Sequence, residues 1–381
     1  MDEVDRLRCL RLIVTPLCVQ VRRGGMGMLR KLLLLLIALA CARAAVAQYP
    51  GPSQGDFIIK NFRFASGAML PELRVHYRTL GKPERDAQGM VRNAVLILHG
   101  TTGSGASLLN AQFAGQLFSG GLLDAERYFI ILPDAIGHGQ SSKPSDGLRT
   151  RFPQYGYLDM IEAQYRLLTE GLGINHLRLV MGTSMGGMHT WLWGERKPDF
   201  MDALMPLASL PTQISGRNRV WRRMIIDAIR NDPAWRDGNY SSQPASLRTA
   251  EEVLYFVGSN PVLRQQQMPT LAESDSTLDA AIADSLKSAD ANDLLYQIEA
   301  SRDYDPGPEL EKIRAPLFAV NSADDLINPP ELGILEREIK RVPKGRAVVL
   351  PLGPDTRGHG THTIAAVWKR YLQELLSVSA Q

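Results

Sequence analysis

The chain has 381 residues, 44% of them hydrophobic and 22% charged, with 33 Gly and 23 Pro. This is globular composition with material for a sizeable core, and it excludes a disordered, collagen-like or coiled-coil protein. The formal net charge of +3 is local: residues 1–47 hold eight Lys and Arg against three acids, and the remainder carries 35 basic and 37 acidic residues, so the body offers no electrostatic case for nucleic acid.

Met28-Leu29-Arg30-Lys31 precedes nine apolar residues, Leu32 to Ala40, followed by Cys41 and a stretch ending Ala45-Val46-Ala47-Gln48. A basic flank, a short apolar run and an Ala-x-Ala end read as a secretory signal peptide over residues 1–47, cut after Ala47. The run falls well short of the roughly 20 residues a membrane span needs. The residues before Met28 read as lying upstream of the true start, at Met26 or Met28. Lipid attachment at Cys41 ranks second, because Ala38-Leu39-Ala40-Cys41 has Ala where lipoproteins usually carry Leu. The expectation is a periplasmic or secreted protein without a stable membrane span. Cys9, Cys18 and Cys41 all precede the cut, so the mature chain has no disulfide, thiolate nucleophile or Cys metal site.

Phe57 to Phe64 and Leu73 to Arg78 alternate like the strands of a meander, with Gly67 between them. Continuous apolar runs then recur: Ala94 to Leu98, Tyr128 to Leu132, Leu177 to Met181, Leu204 to Ala208, Pro316 to Val320 and Ala347 to Leu350. Helical patterns lie between them, notably Tyr157 to Leu172 and Met185 to Lys197. Buried strands alternating with helices predict an α/β fold, a mostly parallel sheet covered on both faces. From Pro211 to Pro308 the rhythm turns helical and polar, over Arg217 to Asn231, Ala250 to Gly258, Leu278 to Ala289 and Asn292 to Asp303. The organisation expected is a core at 48–210, a helical cap at 211–308 and a second core segment at 309–381.

Gly182-Thr183-Ser184-Met185-Gly186 fits G-x-S-x-G between a predicted strand and a predicted helix. A nucleophilic Ser184 has to stand on a sharp turn above the sheet, and the Met185 N–H then faces the developing oxyanion. His99-Gly100-Thr101 follows the Ala94–Leu98 strand, where such a site takes its second oxyanion donor; the Thr101 N–H is the candidate, with His99 read as ordering the loop. An acid is expected at Asp325 or Asp324, in the loop after Pro316 to Val320, and a base at His359 or His362, before the last helix. Ser184, Asp325 and His359 follow the Ser…Asp…His chain order of the α/β-hydrolase fold. The Asp134 to Ser142 loop is Gly-rich but lacks the Lys of a phosphate-binding loop, and His138 within it is read as non-catalytic. His359 and His362 alone do not make a zinc site, so no metal and no cofactor is expected.

From about Phe64 to the last helix the chain resembles the homoserine O-acetyltransferase family of α/β-hydrolases. The resemblance rests on Gly67 to Leu80, on Asp124 to Leu132, on Tyr155 to Leu172 with Asp159-Met160 and Ala163-Gln164, and above all on Thr183-Ser184-Met185-Gly186-Gly187-Met188. It implies an acyl-serine triad of Ser184, Asp325 and His359. Asp325 is preferred over Asp324 because Pro329 then falls four residues on, as in many relatives. Asp232-Pro233-Ala234-Trp235 resembles the family's cap, and laying Asn218 to Arg222 on its first helix gives Arg222 the role of binding the homoserine carboxylate; counting back from Asp232-Pro233 gives Ile226 instead. The chain departs from the family in reading His99-Gly100-Thr101-Thr102-Gly103 for His-Ala-Leu-Thr-Gly, and His359-Gly360 for His-Asp. Since an exported protein meets no acyl-CoA, the expectation is an exported, esterase-like serine hydrolase acting on a small-molecule ester. A homoserine acyltransferase is the alternative, and a non-catalytic binding protein on the same scaffold the second. The oligomeric state stays open, with a homodimer allowed.

Overall fold

The first two strands, β1 (Ser53–Arg63) and β2 (Met69–Leu80), pair antiparallel across a turn in which Gly67 takes φ +85°. The computed structural model describes residues 49–380; the expected signal peptide and all three cysteines lie outside them. β2 pairs antiparallel with β4 (Phe129–Pro133), and from there the sheet is parallel through β3 (Ala94–Leu98), β5 (Leu179–Thr183), β6 (Leu204–Leu207), β7 (Leu317–Ser322) and β8 (Gly345–Leu350). The order is β1-β2-β4-β3-β5-β6-β7-β8. β3 to β7 are buried along their whole length, which is why they read as unbroken apolar runs.

Alternate residues of these strands feed two apolar layers. Leu96 and Leu98 join Met160, Leu167, Trp191 and Trp193, on the side of α1 (Tyr157–Arg166) and α2 (Met185–Arg196). Val95 and Ile97 join Phe113, Phe118, Trp368 and Leu372, on the side of the last helix, α8 (Ala365–Val378). α1 ends by widening into a π turn over Leu167–Gly171.

Between β6 and β7 run α3 (Gly216–Arg230), α4 (Ser246–Val257), α5 (Pro261–Gln267), α6 (Leu271–Ser285) and α7 (Ala291–Glu299). They share their own apolar cluster, in which Trp221, Ile225, Ile226 and Ile229 of α3 meet Leu247 of α4 and Leu294, Leu295 and Ile298 of α7. Several element bounds differ from the sequence pattern: β1, β2 and α4 each begin four residues earlier than expected. The helix expected from Leu278 to Ala289 starts at Leu271 and ends at Ser285, because Thr270 and Glu273 form a reciprocal cap: the Glu273 N–H donates to Thr270 Oγ1 at 3.3 Å and the Thr270 N–H to Glu273 Oε2 at 3.1 Å. α5 was not anticipated; Asn260 starts it by accepting the Leu263 N–H at 2.8 Å, with Pro261 in the first turn.

Candidate active site

β5 enters α2 through Ser184, whose backbone sits at φ 55°, ψ −111°, a conformation a residue with a Cβ adopts only under constraint. The two glycines around it permit the turn. A Cβ on Gly182 would lie 2.2 Å from the Gly186 carbonyl oxygen, and one on Gly186 would lie 2.1 Å from that of Leu98. Strand, helix and β3 therefore meet at backbone contact. The Ser184 N–H donates to the Leu207 carbonyl at 2.9 Å, which ties the turn to β6.

Above that turn three side chains stand in series. His359 Nε2 is 2.8 Å from Ser184 Oγ, and His359 Nδ1 is 2.9 and 3.1 Å from the two oxygens of Asp325. Asp325 is 1% exposed. Its Oδ1 also accepts the N–H groups of Ile327 at 2.8 Å and Asn328 at 3.1 Å, and its Oδ2 the Asn328 amide at 3.3 Å. Burial alone would raise the Asp325 carboxyl, but His359 and the N–H donors of Asn328 and Ile327 outweigh it and hold the group below the usual carboxylate range. An ionised acceptor facing Nδ1 requires the proton there, which leaves the Nε2 lone pair for the serine hydroxyl.

The neighbouring candidates fall elsewhere. Asp324 accepts from the Gly358 N–H, the Ser322 hydroxyl and the Asn260 amide. The His362 ring packs edge-on against that of His359, centroids 4.9 Å apart, and burial pushes it down to about 3. His99 lies across two loops, Nδ1 donating to the Gly100 carbonyl at 2.8 Å and Nε2 accepting the Ala135 N–H at 3.0 Å. His138 donates Nδ1–H to the Ile136 carbonyl. Asp134 is wholly buried, paired with Arg78 and accepting the N–H groups of Gly105 and Gln140, so its Gly-rich loop is built around a structural carboxylate.

Thr101 follows Gly100, where a Cβ would lie 3.5 Å from Ser184 Cβ, so the loop leaving β3 passes directly over the serine. Met185 is the first residue of α2, and an N–H at that position has no carbonyl one turn back to bond. Arg222 is buried, with Nε donating to Asn218 at 3.0 Å and Nη1 to the Ser301 hydroxyl at 3.2 Å. Burial lowers its pKa, opposed by the neighbouring Tyr157 phenol. Among the described residues no carboxylate pairs with it. Ile226, on the same face one turn on, lies in the apolar cluster of the helices instead.

Tyr157 was not singled out from the sequence. Its hydroxyl is buried beside Thr101 and Arg222 and makes no regular hydrogen bond; a Tyr at the start of an amphipathic helix carries no local sign of this. A polar cavity of about 390 Å³ opens beside the same loop, lined by Thr102, Gly103, Ser107, Lys143, Glu251 and Asp293 among others, room enough for a small substrate. Burial pushes the Asp293 carboxyl up to about 6, against the hydrogen bonds from Ser145. Among the described residues no group of His, Cys, Asp or Glu is placed to hold a metal ion, and no helix is long and apolar enough to cross a membrane.

The fold and this geometry place the chain in a family. Residues 93–353 match the alpha/beta hydrolase fold, and the chain belongs to that family. It is 33% identical to a probable acyltransferase of Methanothermobacter thermautotrophicus over 77% of this chain and 89% of that one. It is 34% identical to a homoserine O-acetyltransferase of Thermobifida fusca over 51% of this chain and 54% of that one, so the match spans about half of that relative. Among solved structures it resembles a homoserine O-acetyltransferase from Bacillus anthracis with a TM-score of 0.75 and 21% identity, covering 86% of this chain and 98% of the other. An acetylester hydrolase from Corynebacterium glutamicum follows at 0.73 and 23%, covering 86% and 96%. At these identities the structural likeness is one of fold.

Proposed function

We propose that the protein is an exported serine hydrolase that cleaves carboxylic esters through an acyl-serine. The observation that carries this reading is the single imidazole shared between Ser184 Oγ and the buried Asp325 carboxylate. Ser184 Oγ attacks the acyl carbon while its proton passes to His359 Nε2; Asp325 stabilises the imidazolium and keeps the ring oriented. The N–H groups of Met185 and Thr101 receive the oxyanion. Collapse breaks the ester C–O bond, and His359 gives its proton to the leaving alcohol. Water then attacks the acyl-serine with His359 as base and releases the acid. In this reading residues 211–308 cap the site, Arg222 and Tyr157 line it on the side of the helices, and export follows from the signal peptide ending at Ala47.

One observation favours a second reading. A buried guanidinium with no carboxylate partner is costly, and a substrate carboxylate would complete it. That is what an acyltransferase using a carboxylate-bearing alcohol such as homoserine would supply, and the names of the relatives agree with it. Both reactions share the acyl-serine and differ in what attacks it.

The test is fluorophosphonate labelling of the mature protein against Ser184→Ala. Product analysis follows, with a p-nitrophenyl ester in one arm and acetyl-CoA plus homoserine in the other. Labelling at residue 184 with ester hydrolysis supports the hydrolase. Labelling with transfer alone makes it an acyltransferase, and no labelling at all leaves a binding protein on a hydrolase scaffold.

A further inference from the structure

Asp324 is 8% exposed and gathers three segments of the chain. Its Oδ2 accepts the Gly358 N–H at 2.8 Å and the Asn260 side-chain amide, and its Oδ1 accepts the Ser322 hydroxyl at 2.7 Å. Ser322 is the last residue of β7, Gly358 directly precedes His359, and Asn260 is the residue that starts α5. The Asn260 amide is oriented for this, because its Oδ1 is taken by the Leu263 N–H at 2.8 Å. Gly358 has φ +62°, and a Cβ there would lie 3.3 Å from Asn260 Cβ and N. The backbone one residue before the imidazole is thus pressed against the helices between β6 and β7 and fastened to the acid loop by a carboxylate.

We propose that Asp324 and Asn260 are positioning residues, a buried clasp that sets His359 at hydrogen-bond distance from Ser184 and Asp325 only while α5 is seated. The proposal rests on the acyl-serine reading above. Its physical basis is the tolerance of the site. His359 must satisfy Ser184 and Asp325 together, and a displacement of about 1 Å in such a constellation costs on the order of a hundredfold in rate. Hydrogen bonds to an ionised acceptor are the strong ones. Removing Asp324 would leave the Gly358 N–H and the Asn260 amide unmet in a buried place.

The hydrogen-bond pattern makes the two adjacent acids separable. In Asp324→Asn the new carbonyl oxygen can still accept from Gly358 and Asn260. Its amide then donates to Ser322 Oγ, whose own proton can turn to the Gly358 carbonyl 3.2 Å away. Asp325→Asn has no such exchange. Asn260→Asp keeps the cap on Leu263 but sets a second carboxylate against Asp324.

The experiment measures kcat and KM for a small soluble ester, each normalised to sites labelled to completion by a fluorophosphonate, with Tm alongside. Asp324→Ala and Asn260→Asp are expected to lose about a hundredfold and about tenfold in kcat, with KM within about threefold, and Asp324→Asn to stay within about fivefold of wild type. An Asp324→Ala that keeps its kcat per labelled site and loses only Tm would overturn the proposal. So would an Asp324→Asn as inactive as Asp325→Asn. A wild-type protein that fails to label at Ser184 would instead sink the acyl-serine reading on which the clasp depends.

Discussion

Asp325→Asn changes one atom of the site, and the surrounding donors dictate how the new amide must lie. Two backbone N–H groups, from Ile327 and Asn328, point at Oδ1 at 2.8 and 3.1 Å. The amide oxygen has to take that position, because an NH2 there would face two donors. The nitrogen then occupies the place of Oδ2, 2.9 Å from His359 Nδ1, and donates to it, losing only the longer 3.3 Å contact from the Asn328 amide. His359 is forced into the tautomer with its proton on Nε2, facing Ser184, and can no longer accept from the hydroxyl. The equivalent change in a Ser-His-Asp site costs about 10⁴-fold in kcat, or about 5 kcal/mol of barrier. The packing barely changes, so Tm should move by only a few degrees. The assay is steady-state hydrolysis of p-nitrophenyl acetate, with thermal denaturation and fluorophosphonate labelling rate alongside. A variant that retains a tenth or more of the wild-type kcat/KM would refute the assignment of Asp325.

Three further outcomes follow from the site and its surroundings. Arg222→Met should change kcat/KM for neutral esters by less than about tenfold, under about 1.4 kcal/mol; a fall of a hundredfold or more for transfer to homoserine, with ester hydrolysis hardly touched, would establish the acceptor site and the transferase reading. His189 is buried and pushed down to about 3, first by desolvation and then by His99. The unfolded chain therefore takes up a proton below about pH 6.5 that the native state refuses, and the neutral ring's contribution, complete above that pH, is lost as pH falls toward 3. In His189→Gln the urea-unfolding free energy should decline less steeply between pH 6 and pH 4, by about 1.4 kcal/mol per pH unit; identical slopes would contradict this. Expressed from Met28 in a Gram-negative host, the protein should be recovered beginning at Gln48, and N-terminal sequencing that finds residue 28 retained in the cytosolic fraction would remove the argument from export.

The central strands were legible because burial on both faces leaves long apolar runs, as in Ala94–Leu98 and Phe129–Pro133. The serine turn was legible because its glycines hold fixed places around the serine, Gly182 required by a backbone contact four residues on and Gly186 by one with β3. Choices between neighbours were harder. Asp324 and Asp325 both follow β7, and what separates them is a partner more than thirty residues away: Gly358 N–H for one, His359 Nδ1 for the other. Arg222 and Ile226 share one face of α3, so periodicity cannot rank them; packing against Ser301 and Tyr157, rather than the apolar cluster, does. The start of α6 was readable and missed, since Thr270-Leu271-Ala272-Glu273 is a capping sequence in plain view. Asn260-Pro261 signalled only a helix start and Tyr157 carried no signal at all, because their further importance lies in what the fold brings against them.

The backbone at Ser184 has a consequence for how this protein evolves and how it behaves in a cell. At φ 55° and ψ −111° the residue is held away from its own energy minimum, a displacement worth on the order of 1–3 kcal/mol. It persists because the helix that follows is buried from Met185 through Glu195 and cannot relax around it. Glycine would sit there without complaint, losing the hydroxyl and relieving the distortion. On the acyl-serine reading, Ser184→Gly should therefore be inactive and yet the hardier molecule, accumulating at least as well as the parent. Selection for abundance alone would drift toward it, so activity at this position has to be maintained against the fold's own preference.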